Sequence, residues 1–198
     1  MSGFISFKQR MVFFLSEIVK VPLLHARWLN TLSFLENCGA RKIAACEHPL
    51  LVKEEILKHA AEEFRHAHYL KKQIVRVESV PMESYDIVYL LGGMATYHYL
   101  SLLDLRVSSY LKRLYLEKSK IKEISYLLVT YAIECRAEEL YPIYDQILRM
   151  SKSRVAVKSI LLEEKEHLEE MKRGIDRIEG GWDLAKEVCS LESCLCEK

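Results

Sequence analysis

Two Glu-x-x-His motifs, one in each half of this 198-residue chain, combine a carboxylate with an imidazole. The first motif is Glu63 with His66, and the second is Glu164 with His167. Because residues three apart lie on the same face of an α-helix, the two side chains of each motif could converge on a single ion. Oxygen and imidazole ligands together suit iron or manganese. Each motif therefore indicates a metal site, provided that its helix turns the motif toward the protein interior.

The apolar positions of the two helices indicate which way the motifs face. In a predicted helix over 154–179, Glu164 and His167 lie in the inward stripe, whose other members are Val157, Ile160, Leu161, Leu168, Met171 and Ile175. The outer and flanking positions of this helix belong to Glu163, Lys165, Glu166, Glu169 and Glu170. In a predicted helix over 50–78, Glu63 and His66 likewise lie inward, whereas Glu62 and Arg65 point away.

Two further glutamates occupy inward positions on neighbouring predicted helices. Glu36 lies among apolar residues of 22–47, and Glu134 lies near Leu127 and Tyr131 in 121–150. Buried carboxylates are costly unless they are paired, hydrogen-bonded or bound to metal, and two divalent cations would account for all four together. The six candidate ligands are Glu36, Glu63, His66, Glu134, Glu164 and His167.

Aromatic residues near these ligands have two interpretations. Tyr131, one turn before Glu134, could hydrogen-bond a ligand or carry a radical, or it could simply pack in the core. The sequence Tyr97-His98-Tyr99 could line a hydrophobic substrate pocket or belong to an ordinary core.

The elements that must position these residues are helices. Half of the residues are hydrophobic, and only seven are glycine and four proline, which is typical of an all-α protein. Turn signals divide the chain into predicted helices over 5–20, 22–47, 50–78, 85–117, 121–150 and 154–179. Short connections make two antiparallel hairpins, joined by 85–117 as a crossover helix. We therefore expect residues 1–180 to form a single helical-bundle domain.

Charge and cysteine usage restrict the function classes. Lys and Arg (29) nearly balance Asp and Glu (28), so no global field attracts nucleic acid or an anionic membrane. The uncharged run 87–103 is shorter than the roughly 20 apolar residues of a membrane-spanning helix. Six cysteines without a CxxC pair, and no export signal, indicate reduced thiols in the cytoplasm. Residues 181–198, with Cys189, Cys194 and Cys196, are expected to form a loosely ordered tail, with metal binding or oxidation as the alternative.

The motifs and their placement resemble the ferritin-like di-iron carboxylate superfamily over roughly residues 22–179. The resemblance implies a four-helix bundle that holds two iron ions, or manganese or a mixed pair. It implies that Glu63 and Glu164 bridge the metals, whereas Glu36 and Glu134 bind terminally. The segment TYAIECRAEELYPIYDQ also resembles the tRNA-modifying hydroxylase branch, through the residues Ile133, Glu134, Arg136, Glu139 and Tyr141.

The resemblance implies a di-iron oxygenase or oxidase that uses O2 to oxidise a small or hydrophobic organic substrate. The sequence does not identify an electron donor, and it is compatible with a homodimer. Three alternatives remain: a ferroxidase or peroxide scavenger, a tRNA-modifying hydroxylase, and a non-catalytic helical interaction protein. The long apolar helix and the lack of a C-x2-C metal ribbon distinguish the chain from ferritins and rubrerythrins, respectively.

Overall fold

A computed structural model describes residues 3–48, 50–78, 82–114 and 118–197. Within these ranges the chain forms seven α-helices and no strand, which confirms the predicted all-α class. The helices are α1 (Lys8–Lys20), α2 (Pro22–Cys46), α3 (Glu54–Gln73), α4 (Met94–Arg113), α5 (Lys118–Met150), α6 (Lys158–Ile175) and α7 (Gly181–Cys196). The predicted turns at Pro49 and Pro81 fall outside the described residues.

Residues at the ends of α2 and α3 are suited to helix termini. Pro22 occupies the first turn of α2, where its missing N–H and fixed φ cost nothing. Helix α3 has Glu54 and Glu55 in its first turn and Lys71 and Lys72 in its last, which complements the helix dipole.

The crossover helix is shorter than predicted. It begins at Met94 rather than 85, because a 3₁₀ turn at Ile87–Tyr89 and two glycines with positive φ precede it. Gly92 and Gly93 have φ values of 78° and 54°, which favour glycine and do not continue a helix. No described helix is both long and apolar enough to span a membrane.

The expectation of a loosely ordered C-terminal tail is wrong. Residues Gly181–Cys196 form α7, which packs against α4, α5 and α6. Ala185, Val188, Cys189 and Glu192 are buried at helical spacing along its inner face. This stripe was readable in the sequence, but the polar residues and thiols around it obscured the pattern.

A buried ionic network fixes α7 and the N-terminal segment to α5. The Arg136 guanidinium donates to both carboxylate oxygens of Glu192, at 2.9 and 2.8 Å, and to the Ile5 carbonyl oxygen at 3.1 Å. Tyr99 on α4 donates to the same glutamate at 2.6 Å. Because Glu192 is fully buried, these donors replace the water that would otherwise solvate its charge.

The helices pack in the pairs that the sequence suggested. Helix α2 packs mainly on α3, and α5 packs mainly on α6, whereas α4 lies against α2, α5 and α7. Two apolar clusters flank the polar interior. On α5, one cluster includes Leu128 and Ala132 and the other includes Tyr144 and Leu148, so Glu134 lies between them. Members of both clusters flank the second Glu-x-x-His motif on α6 in the same way.

Candidate metal centre

Helices α2, α3, α5 and α6 bring the six predicted ligand residues together as two adjoining groups. The His59 group consists of His59, Glu63, Glu134 and His167. The His66 group consists of Glu36, Glu63, His66 and Glu164. In each group, one potential ligand atom from each residue lies within 4.8 Å of the others. Glu63 belongs to both groups, so the two candidate sites share a carboxylate.

The groups are withdrawn from solvent. Glu63, Glu134 and Glu164 are at most 5% exposed, and the three histidines are at most 1% exposed. Glu36, on α2, is half-buried. Side chains of these types are rarely buried together without a partner that neutralises them.

Six buried atoms of the two groups lack a hydrogen-bond partner among the described residues. They are Nε2 of His59, Oε1 of Glu63, Nδ1 of His66, Oε2 of Glu134, Oε1 of Glu164 and Nδ1 of His167. Leaving a buried polar atom unsatisfied costs about 1–3 kcal/mol, so such a concentration calls for an explanation. Oxygen-rich ligands with imidazole are a donor set that iron and manganese accept, and two divalent cations therefore fit these residues.

The distances between the groups place Glu63 and Glu164 centrally. Oε1 of Glu63 lies 3.4 Å from Nε2 of His59 and 3.4 Å from Nδ1 of His167. The two oxygens of Glu164 face different histidines: Oε1 lies 3.1 Å from Nδ1 of His66, and Oε2 lies 3.8 Å from Nδ1 of His167. Both carboxylates are thus positioned between imidazoles that come from different helices.

The glutamate before each motif binds the histidine of the other motif. Nε2 of His66 lies 2.7 Å from Oε2 of Glu163, and Nε2 of His167 lies 2.9 Å from Oε2 of Glu62. A carboxylate acceptor favours the proton on Nε2 and turns Nδ1 toward the cluster, where Nδ1 can offer a lone pair to a metal once its own proton is displaced. Sequence reasoning assigned Glu62 and Glu163 to outer faces, but each lies at the edge of the bundle interior. The repeated Glu-Glu-x-x-His pattern was the signal that could have identified them.

His59 is the other residue that sequence reasoning missed. It lies one turn before Glu63 on α3, and its Nε2 is 3.3 Å from Oε1 of Glu134. Its Nδ1 shares a 3.3 Å hydrogen bond with the Tyr126 hydroxyl, which orients the ring. The i, i+4 spacing to Glu63 was the available signal, but a single histidine in a helix is usually a core or surface residue.

The tyrosines that contact the site are Tyr126 and Tyr141. The Tyr141 hydroxyl donates to Oε1 of Glu36. Tyr131 instead packs edge-on against Trp182 of α7, with 5.8 Å between ring centroids. Among the described contacts of the candidate ligands, the phenol groups therefore come from Tyr126 and Tyr141.

The electrostatics of the site separate its carboxylates into two kinds. Burial, with the charge of Glu164 and Glu63 beside them, raises the pKa of Glu134 and of Glu36 well above the ordinary value. Burial would also raise the pKa of Glu63, but its contacts with His167 and His59 hold that pKa well below the usual range.

Glu164 and the two motif histidines follow the pattern of Glu63. Burial and the charge of Glu63 oppose ionisation of Glu164, but its contacts with Glu134, His167 and His66 lower its pKa. Burial would lower the pKa of His167, yet Glu164 and Glu63 raise it to about 11, and Glu164 likewise raises the pKa of His66. Protons thus supply positive charge at the positions where cations would bind, and metal loading would displace them.

A cavity of about 830 Å³ reaches the candidate ligands from one side. Glu36, Glu63, Glu134 and Glu164 form part of its wall, and the remaining lining comes mainly from α2, α4 and α5. Tyr99 lines the cavity, whereas Tyr97 and His98 do not. A space of this size accommodates a small organic molecule next to the carboxylates.

Residues of the hydroxylase-like segment have identifiable contacts. Arg136 binds Glu192 and Glu139, and Tyr141 binds Glu36, so these side chains build the interior around Glu134. Comparison of the chain with protein-family models, with curated proteins and with solved structures found no match.

Proposed function

We propose that this protein is a di-metal oxidoreductase, with two iron ions as the cofactor, that uses O2 to oxidise an organic substrate. The observation that carries the proposal is the pair of buried ligand groups that share Glu63 and border a large cavity. We further propose a ferritin-like arrangement of α2, α3, α5 and α6, because each of these helices contributes a carboxylate to the site. Manganese, or a mixed manganese and iron pair, is compatible with the same donors.

Each proposed ligand has a defined role. Glu63 and Glu164 would be the central carboxylates that hold the pair of ions, since each lies between imidazoles of different helices. Glu36 and His66 would complete one site, and Glu134, His167 and His59 the other. When bound, an iron pair supplies the electrons and Lewis acidity for reaction with dioxygen.

The protein's own residues would orient and shield this centre. Glu62 and Glu163 hold the motif imidazoles in one tautomer and one ring orientation. Hydrogen bonds from Tyr141 to Glu36 and between Tyr126 and His59 restrain two further candidate ligands. The apolar clusters on either side of the site limit the access of water to the ligands.

The cavity favours oxidation of an organic substrate over iron handling alone. A ferroxidase or peroxide scavenger needs access for ions or peroxide, but it does not need a cavity of about 830 Å³ beside its carboxylates. A tRNA-modifying hydroxylase needs a surface that binds a polyanion, and the chain's formal net charge is only +1. A non-catalytic bundle would gain nothing from the unsatisfied buried atoms of the two ligand groups.

Oxygen consumption by the iron-loaded protein tests the proposal. The chain is loaded with Fe(II) without oxygen, freed of excess iron and mixed with oxygenated buffer. We expect oxygen uptake in proportion to bound iron pairs, and we expect no such uptake by Glu63→Gln. Catalytic oxidation of added Fe(II) that continues far beyond the bound iron would favour the ferroxidase alternative, and absence of oxygen uptake by loaded protein would contradict both.

A further inference from the structure

The cavity at the candidate metal centre changes character along its length. At its inner end lie the carboxylates of the two ligand groups and Tyr141. Apolar side chains of α2, α4 and α5 line much of the remaining wall, and they include Leu35, Ile43, Leu100, Val129 and Ile133. A ligand that fills this space must therefore present an apolar body to the wall.

The solvent end of the cavity is basic, because the lining residues Lys112 and Lys122 are exposed. Lys42, Lys112 and Lys122 line it, together with a single carboxylate, Asp104. Lys42 on α2 pairs with Asp104 on α4, whereas Lys112 and Lys122 have no carboxylate partner among the residues that the structure describes. Two unneutralised ammonium groups at the mouth favour an anion there.

The basic mouth is well separated from the ligands. Twelve residues of α5 separate Lys122 from Glu134, which corresponds to about 18 Å along the helix axis. On α2, six residues separate Lys42 from Glu36, or about 9 Å. Ser108 and Ser125, whose hydroxyl oxygens lie 3.4 Å apart, line the cavity as well and offer neutral hydrogen bonds. An occupant must therefore be elongated if it is to touch both ends.

We propose that the cavity binds an anionic amphiphile: a molecule with a long apolar chain and a carboxylate or phosphate head group. The head lies at Lys112 and Lys122, and the chain extends past Ile133 toward Glu36 and Glu134. A carbon of the apolar chain, rather than the head group, is then placed beside the metal ligands. The chemical consequence rests on the proposed function, but the binding itself requires no metal.

Ligand displacement from the metal-free chain tests this inference. A dansyl-labelled undecanoic acid serves as the fluorescent probe, and dodecanoate, dodecyl phosphate and dodecanol compete with it at concentrations below micelle formation. We expect at least one of the two anions to displace the probe at a concentration at least about tenfold lower than dodecanol does, with an advantage that shrinks at high salt. Whichever of dodecanoate and dodecyl phosphate displaces the probe at the lower concentration carries the preferred head group.

Charge variants locate the head group. The double variant Lys112→Gln/Lys122→Gln should weaken the anions about tenfold and leave dodecanol unchanged. The double variant Lys158→Gln/Lys186→Gln removes the same charge from exposed positions away from the cavity and should bind like the wild type. Ser108→Phe, which narrows the cavity between α4 and α5, should weaken all three compounds.

Three results would overturn the inference. Displacement by dodecanol as effective as by the anions, or equal anion affinities in the two charge variants, would show that the mouth does not select a charged head. The third is the absence of saturable displacement in the wild type. Iron content of the same proteins is measured in parallel, so failure to bind metal counts against the proposed function alone.

Discussion

The crossed bonds from Glu62 to His167 and from Glu163 to His66 are the most specific residue-scale feature of the site. They fix Nδ1 of each imidazole toward the cluster, and in metal sites such outer carboxylates typically change metal affinity by about 10- to 100-fold. We expect Glu62→Gln and Glu163→Gln each to weaken iron binding by about that factor, measured by competition with a chelator. Glu166→Gln, an exposed change on α6, the helix that carries Glu163, is the matched control. Affinity equal to that control would show that the crossed bonds serve only the fold.

His25 gives a residue-scale prediction that does not involve the metal centre. It is buried, its Nε2 shares a 2.7 Å hydrogen bond with the Tyr144 hydroxyl, and burial lowers its pKa from 6.5 to about 4. Between pH 4 and pH 6.5, His25 binds a proton in the unfolded chain but remains neutral in the folded chain. Its titration therefore lowers the free energy of unfolding as the pH falls from 6.5 toward 4. The loss between pH 7 and pH 5 is about 2 kcal/mol.

Urea unfolding of wild type and His25→Gln at both pH values checks this prediction. Taking the difference between the two proteins removes the titration of groups that they share. The wild type should lose about 2 kcal/mol more than the variant on acidification. Parallel losses in the two proteins would show that His25 does not titrate as its burial implies.

At this scale the sequence predicted the inward ligands but not their neighbours. The sequence pattern reveals both Glu-x-x-His pairs, because each pair interrupts an apolar stripe at helical spacing. These residues are Glu63, His66, Glu164 and His167. Glu62 and Glu163 were missed because they lie beside that stripe, and only the packing of α3 against α6 brings them to the opposite histidines. Tertiary proximity of this kind leaves no periodic signal within a single helix.

At the scale of elements, Arg136 connects α5, α7 and the N-terminal segment. Its removal leaves Glu192 fully buried with an uncompensated charge, so Arg136→Met should lower the free energy of unfolding by about 3–5 kcal/mol. Arg173→Met, at an exposed position of α6, is the control and should change stability little. The measurement is urea unfolding of the metal-free proteins.

A second substitution distinguishes the effect of losing the ion pair from the effect of losing the packing of the arginine side chain. Adding Glu192→Leu to Arg136→Met removes the orphaned charge and should restore much of the lost stability. A double variant as unstable as Arg136→Met would instead assign the loss to the packing of the guanidinium on Phe4 and Phe7.

Helices were predicted better than their ends. The bounds of α2 agree closely with the prediction because Pro22 and the turn near His48 are strong local signals. The start of α4 was placed too early, since the apolar run 87–103 continues through Gly92 and Gly93, where the backbone leaves the helical region. Helix α7 was missed because its buried polar residue, Glu192, makes sense only with Arg136 in place.

At the scale of the whole molecule, the centre and the cavity depend on different parts of the chain. Helices α2, α3, α5 and α6 supply the candidate ligands, and α4 with α2 and α5 lines the cavity beside them, which we propose as the route for an organic molecule. The sequence could predict the first arrangement from repeated motifs. It could not predict the cavity, because an empty volume depends on how far apart packed helices stand.

Metal content of the purified chain tests the central claim most directly. The protein is expressed without a metal-chelating tag, reconstituted with Fe(II) in the absence of oxygen, desalted and analysed for iron and manganese. We expect about two metal ions per chain, and we expect Glu63→Gln, which alters the candidate ligand common to both groups, to lose most of them. Less than about 0.2 ions per chain in the reconstituted wild type would contradict the account.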